Sequence, residues 1–157
     1  MKYPVMLSVF IVCGLLAAPP SAWASPGHKP PDYGRPGNPK KVTRTVTVKA
    51  TEIAFDAQII KAKKGETIRI ILINDGLQDH ELTIGNEAVQ QEHRAMMTSM
   101  TPEAMAKAGH KHDNAVNAKP GQTRELVWTF TKPGIYVFAC NYPGHAELGM
   151  QGKVIVE

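Results

Sequence analysis

The sequence predicts an all-β fold, a two-sheet antiparallel sandwich or barrel. Short segments alternate apolar and polar side chains, as strands with one buried face do. Glycine and proline turns separate these segments at short intervals. Strong helical periodicity is missing, and only the stretch 86–117 breaks the strand pattern. With 157 residues, the chain is long enough for one domain with its own hydrophobic core.

Three strands are predicted in the first half of the domain. Residues 42–49 alternate valine and arginine with threonine and lysine. Residues 67–74 are nearly all apolar, which is typical of a strand covered on both faces. Asp75 and Gly76 end this strand, and the pattern resumes over 80–84.

Three more strands are predicted near the C-terminus. Apolar side chains alternate over 124–130, and a Pro-Gly turn leads into a strand over 134–140. In that strand Cys140 shares one face with two aromatic side chains. Residues 152–157 form the last predicted strand.

The segment 86–117 is predicted to be a short helical insert. Asn86 is a suitable N-cap for one helix. Thr101 is the predicted N-cap of a second helix, with Pro102 at its first position and Gly109 as its stop. We therefore expect two short helices between the strand at 80–84 and the strand at 124–130.

The N-terminus has the features of a secretory signal peptide over residues 1–24. Lys2 supplies the positive charge, an apolar stretch follows, and Ala22 and Ala24 fit the small-x-small cleavage rule. An uncleaved membrane anchor is the alternative, but the stretch is short for a bilayer span, which needs about 20 apolar residues. We expect export to the periplasm and no membrane span after cleavage.

Residues 25–41 are predicted to be a flexible arm, since they are rich in proline, glycine and charge. His28 lies in this arm and is expected to be solvated. The domain proper would then span 42–157. The formal charge of +4 becomes +3 once Lys2 is removed, and no basic stripe with interleaved aromatics exists, so nucleic acid is not an expected partner.

The pattern Cys140-x4-His145-x4-Met150 indicates a copper site. A thiolate, an imidazole and a thioether suit copper that cycles between Cu(I) and Cu(II), and such a site needs a second imidazole. His80 is the candidate because it follows an apolar strand and a glycine-containing turn. The competing imidazoles are those of the insert, His93, His110 and His112.

Two further observations favour copper at Cys140. Removal of the signal peptide removes Cys13, so Cys140 has no partner for an internal disulfide in an oxidising compartment. Zinc accepts cysteine and histidine, but the thioether of Met150 is a poor zinc ligand. The alternatives are a buried inert thiol at Cys140 and ordinary core packing at Met150.

Three segments, 80–85, 92–97 and 138–150, resemble the cupredoxin family, and most closely its CopI-type periplasmic members associated with copper tolerance. The resemblance covers roughly residues 42–157. It implies a Greek-key β-sandwich and one type 1 copper as cofactor. The implied ligands are His80, Cys140, His145 and Met150.

One position departs from the small electron carriers of this family. They often place asparagine or serine directly after the first histidine ligand, where it ties loops together near the cysteine sulfur. Here that position is Glu81. The colour and the potential of the site therefore cannot be carried over, because contacts around the ligands tune both.

The insert is also rich in soft ligands, and the resemblance raises the hypothesis of a second copper there. Thioethers with imidazoles favour Cu(I). The alternative is that the methionines pack the helix onto the sandwich and that the histidines lie in a solvated turn. The candidate residues are His93, Met96, Met97, Met100, Met105, His110 and His112.

The resemblance and the soft-ligand insert together favour a copper-tolerance or copper-homeostasis protein with one-electron redox capability. The first alternative is a dedicated electron carrier, and the second is a cuprous oxidase. We expect no enzyme activity, a monomer, and a redox partner or copper-handling protein of the periplasm as its partner.

Overall fold

The computed structural model describes residues 31–101, 103–104 and 112–157. In these ranges nine strands form two sheets that enclose one core. The predicted all-β sandwich is confirmed. The strands are β1 (Gly34–Pro36), β2 (Arg44–Ala50), β3 (Ile59–Ala62), β4 (Thr67–Asn74), β5 (His80–Gly85), β6 (Ala115–Ala118), β7 (Thr123–Phe130), β8 (Gly134–Ala139) and β9 (Gln151–Val156).

The sheets are mixed rather than purely antiparallel. One sheet has the order β1-β7-β4-β2, and the other has the order β3-β9-β8-β5-β6. The pairs β2–β4 and β3–β9 are parallel, whereas the other described pairs are antiparallel. The chain leaves the first sheet after β2, forms β3 in the second sheet and then returns as β4, and this crossover makes β2 and β4 parallel.

The core lies between the two sheets and follows the alternation of the strands. On β4, Ile68, Ile70 and Leu72 point inward and are fully buried, while Ile71 and Ile73 on the other face are half-buried. The prediction that β4 is covered on both faces is therefore wrong. Its outer face carries Arg69, Ile71 and Ile73, and it is only partly covered.

The N-terminal arm differs from its prediction, because Tyr33 is a core residue with 1% of its surface exposed. Its hydroxyl donates to the Ile84 carbonyl oxygen at 3.0 Å and so links the two sheets. β1 follows directly and pairs with β7 as an edge strand, where Pro36 is tolerated. Gly34 permits this pairing, since a Cβ there would lie 2.2 Å from Nε1 of Trp128. A 3₁₀ turn at Pro39–Lys41 leads on toward β2.

The first predicted helix is confirmed as α1 (Glu87–Ser99), and the Asn86 side chain accepts the backbone N–H of Val89. The helix packs on β5 and β8, so that every residue of β5 is buried. Of the second predicted helix, the hydroxyl of Thr101 accepts the backbone N–H of Ala104 as an N-cap does. Pro102 and Gly109 lie outside the described residues. The predicted helical insert over 86–117 is wrong at its C-terminal end, where Ala115–Ala118 form β6 and pair with β5.

The predicted signal peptide and His28 also fall outside the described ranges, which begin at residue 31. Among the described helices, none has the length and apolar character needed to cross a bilayer.

Candidate metal centre

The predicted ligands meet at one end of the sandwich because of the order of the strands. His80 is the first residue of β5, and Cys140 follows the last residue of β8, which pairs with β5. His145 and Met150 lie on the loop from β8 to β9. These two strands are neighbours, so both ends of the loop are anchored in one sheet.

Three of the donor atoms form one buried cluster. Sγ of Cys140 lies 3.3 Å from Nδ1 of His145 and 3.8 Å from Nδ1 of His80. The ligand atoms of these three residues all lie within 4.8 Å of one another. Cys140 and His80 are fully buried, and His145 is 7% exposed. His93 and His112, which compete with His80 in the sequence, are not part of this cluster.

Met150 is fully buried, and backbone hydrogen bonds fix its place beside the cluster. The N–H of Cys140 donates to the Met150 carbonyl oxygen at 3.1 Å, and the N–H of Met150 donates to the His145 carbonyl oxygen at 2.9 Å. Gly144 and Gly149, with φ of 88° and 100°, supply the left-handed turns that the loop needs before each of these ligands. The loop is therefore held by its own backbone.

Burial sets the protonation of the three donors. It raises the pKa of the Cys140 thiol to about 12, although backbone N–H groups of Glu81 and Tyr142 partly oppose the shift. Burial lowers the pKa of both His80 and His145, and for His80 the neighbouring His145 adds to the effect. Both imidazoles are therefore neutral near pH 7 with a lone pair available, and a metal must displace the thiol proton.

This donor set fits copper. Two neutral imidazoles, one thiolate and a nearby thioether are the ligands of a type 1 site, and a thioether would contribute little to zinc. The four residues that would hold the ion are those predicted from the sequence.

His80 is positioned by the turn before β5. Its Nε2 atom is buried beside the backbone carbonyl of Thr51, without a hydrogen bond of ordinary geometry. A Cβ on Gly76 would lie 2.8 Å from the Thr51 carbonyl oxygen and 3.1 Å from His80 Nε2. Glycine is thus required at position 76, because the Thr51 backbone and the His80 ring lie too close for a side chain there. From the sequence, Gly76 can be recognised only as a turn residue.

Replacing Gly76 with alanine should displace the His80 ring and lower the copper affinity about 10-fold to 100-fold, the range for residues that orient metal ligands. Competition with a copper chelator measures this change. The matched control is Gly121→Ala, since Gly121 has open space around it but a φ of 72°. The control should lose stability through backbone strain and keep its copper affinity. Wild-type affinity in Gly76→Ala would contradict the prediction.

Glu81 is a fully buried carboxylate directly after His80. Its Oε1 accepts the backbone N–H of Asn141 at 3.0 Å and the hydroxyl of Thr83 at 3.1 Å. Nε2 of His93 lies 3.0 Å from the same oxygen. Burial raises the pKa of the Glu81 carboxyl, but the hydrogen bonds from His93 and Asn141 outweigh it, so the pKa lies below its usual value.

Glu81 stands out in the sequence without any predicted contact, and neither Asn141 nor Gln90 is among the predicted site residues. The amide of Asn141 donates to Oε1 of Gln90 at 2.9 Å, and Gln90 is itself fully buried on α1. A polar residue directly after a ligand, at the end of a buried strand, is the signal that could have found Asn141.

The candidates for a second copper site are only partly described. The rings of His93 and His112 meet edge to face, with centroids 4.9 Å apart. Met97 is buried one helical turn after His93, and Met96 and Met100 are half-buried. Met105 and His110 lie outside the described residues.

Comparison with known proteins assigns the domain. The family described as copper binding proteins, plastocyanin/azurin family, matches residues 42–157. A copper-resistant cuproprotein CopI from Pseudomonas aeruginosa is 36% identical over 171 residues, covering 94% of this chain and 93% of the relative. A protein of the same name from Rubrivivax gelatinosus is 41% identical over 125 residues, covering 79% of this chain and 73% of the relative.

Solved structures agree with the fold. Auracyanin from Roseiflexus castenholzii has a TM-score of 0.63 and 25% identity, covering 74% of this chain and 98% of its own. Auracyanin A from Chloroflexus aurantiacus has a TM-score of 0.60 and 28% identity, covering 72% of this chain and 98% of its own. The resemblance proposed from the sequence is confirmed, and copper is the cofactor. The chain belongs to the plastocyanin/azurin family of copper-binding proteins.

Proposed function

We propose that the protein is a periplasmic copper-tolerance protein that binds one type 1 copper at His80, Cys140, His145 and Met150. The observation that carries the proposal is the buried cluster of Cys140 with two neutral imidazoles, in a chain whose relatives are named copper-resistant cuproproteins. Bound copper would supply a one-electron change between Cu(I) and Cu(II).

The residues around the site favour such a change with little rearrangement. The backbone hydrogen bonds of Cys140 and Met150 hold the loop without using any of the ligand atoms. Burial of the three donors keeps water from competing for the metal. The protein would therefore hold copper in either oxidation state without refolding its loop.

The proposed location rests on the sequence. The predicted signal peptide over 1–24 would export the chain to the periplasm. There it would act as a monomer, without turning over a substrate, and exchange copper or electrons with a periplasmic protein.

A second copper in the insert is the finer part of the proposal. Nε2 of His93 lies 3.0 Å from the Glu81 carboxylate, and carboxylates often orient metal-binding histidines in this way. His112 lies against His93, and Met97 follows one turn later on the helix. The remaining candidates are Met96, Met100, Met105 and His110.

Deletion of the gene and complementation test the main proposal. Loss of copper tolerance with normal respiration is expected, and the wild-type gene should restore tolerance while a Cys140→Ala gene should not. Full tolerance in the deletion strain would refute the role.

Copper titration of the mature protein tests the second site. We expect two copper ions in the wild type and one in each of Cys140→Ala and His112→Ala. As a further variant, leucine at Met96, Met97 and Met100 conserves volume and removes the thioethers. A stoichiometry of one that none of the insert variants changes would refute the second site and leave the first intact.

Electron transfer is the second candidate function, and one observation favours it. Leu77 is 83% exposed in the turn before His80, and Leu148 is 69% exposed in the loop after His145. Exposed apolar side chains of this kind suit a transient protein contact. Lost respiratory flux with normal copper tolerance in the deletion strain would select this function instead.

A further inference from the structure

Buried hydrogen bonds join helix α1 to the loop over 140–150, which carries three of the copper ligands. These hydrogen bonds are not themselves needed to coordinate copper. On β5, Leu82 and Ile84 point into the core, so Glu81 and Thr83 point to the opposite face. That face is covered by α1. A carboxylate buried there must be paired, because an isolated buried charge is strongly unfavourable.

Glu81 makes two hydrogen bonds on the cysteine side of the copper centre. Its backbone N–H points to Sγ of Cys140, with N and S 3.5 Å apart. Its carboxylate accepts the N–H of Asn141, the residue that follows Cys140. A shift of Glu81 would therefore move the sulfur ligand and change the hydrogen bond that the sulfur accepts.

The same carboxylate meets the helix through His93, and the helix holds the loop at a second place. Asn141 donates through Nδ2 to Gln90 at 2.9 Å, and its Oδ1 accepts from Arg94 at 3.4 Å. Gln90 in turn donates to the carbonyl oxygens of Thr83 and Val137 on two neighbouring strands. The helix, the strands and the loop thus form one connected network.

We infer that Glu81 is a positioning residue for the copper centre, and that its bond to His93 makes the properties of the bound copper depend on helix α1. The inference goes beyond copper tolerance, and it rests only on the copper centre and on the described contacts.

Glu81 is not itself proposed as a copper ligand. The cluster of donor atoms contains His80, Cys140 and His145, while the carboxylate oxygens of Glu81 face three hydrogen-bond donors. Its effect must therefore pass through Cys140 and its loop.

The test compares Glu81→Gln and His93→Ala with the wild type at one equivalent of copper per protein. The matched control is Glu147→Gln, which removes the same charge from an exposed residue two positions after His145. The readouts are the reduction potential, the EPR copper hyperfine coupling, and the amide resonance of Asn141 in the metal-free protein.

We expect Glu81→Gln to shift the potential, with the ratio of Cu(I) to Cu(II) affinity changing about tenfold, the lower end for residues around metal ligands. That ratio corresponds to about 59 mV for one electron. His93→Ala should also shift the potential, the hyperfine coupling and the Asn141 resonance. His93→Gln, which can still donate, should restore them toward the wild type.

A double-mutant cycle tests the link itself. In the Glu81→Gln background, His93→Ala should add little to the shift in potential. Purely additive shifts would refute the link to α1. Shifts no larger than those of Glu147→Gln, in both single variants, would refute the positioning role. If Glu81→Gln does not fold, the comparison of His93→Ala with His93→Gln still decides, because both variants keep Glu81.

Discussion

Replacing Cys140 with alanine should abolish the thiolate-to-copper absorption and lower the copper affinity by more than about 100-fold. Loss of a residue that only orients a ligand lowers metal affinity about 10-fold to 100-fold, and loss of the ligand itself should lower it further. The metal-free protein should remain folded, because the removed thiol is a single buried atom and typical substitutions cost on the order of 1 kcal/mol. Absorption and EPR spectra after copper addition measure the first effect, and denaturant unfolding of the metal-free protein measures the second.

Cys140→Ser is the matched variant, since it keeps the size and a polar atom but loses the thiolate. It should also lack the absorption. An intense charge-transfer band in either variant would show that the sulfur ligand is not Cys140. Unfolding of the metal-free alanine variant would instead assign a structural role to the thiol.

Replacing Tyr33 with alanine should destabilise the metal-free protein by about 3–5 kcal/mol, the range for a large aromatic removed from a core. The ring lies 5.0 Å from the ring of Tyr136 and 6.1 Å from that of Trp128, between centroids. The hydroxyl is also lost as a donor to the Ile84 carbonyl oxygen. Denaturant unfolding followed by tryptophan fluorescence measures the change.

Tyr33→Phe separates the two contributions. It keeps the ring and removes only the hydroxyl. The Ile84 carbonyl oxygen still accepts from Nδ2 of Asn114 at 2.7 Å, so the expected loss is about 0.5–1.5 kcal/mol, the net contribution of one hydrogen bond. If Tyr33→Ala were as stable as the wild type, the segment before β2 would not be part of the folding unit.

Six of the nine described strands and three of the four copper ligands could be predicted because their signals are local. Residues 67–74 show apolar character within one strand, and Cys140, His145 and Met150 stand at fixed spacing on one loop. Asn86 can be recognised as an N-cap because the backbone N–H that its side chain accepts lies only three positions away. In each case the responsible interaction lies within a few residues of the pattern.

The features that escaped prediction depend on contacts between distant parts of the chain. Tyr33 is a single aromatic among prolines and glycines, and nothing in its neighbourhood indicates that it reaches Ile84. Parallel pairing of β2 with β4 depends on where β3 lies, which the strand pattern does not contain. His93 was predicted as a metal candidate, and its contact with Glu81 across twelve positions appears only in three dimensions.

The buried network around Asn141 has a consequence for protein engineering. A cupredoxin loop is a natural segment to transplant into another protein, because three of the copper ligands lie on it within a short stretch. A graft of residues 140–150 alone would separate Asn141 from Gln90, which accepts from its side-chain amide, and from Glu81, which accepts from its backbone N–H. The transferable unit in this protein is therefore the loop together with β5 and α1. A minimal version without the helix would expose Glu81 to water, and the bound copper would lose the hydrogen-bonded residues around its ligands.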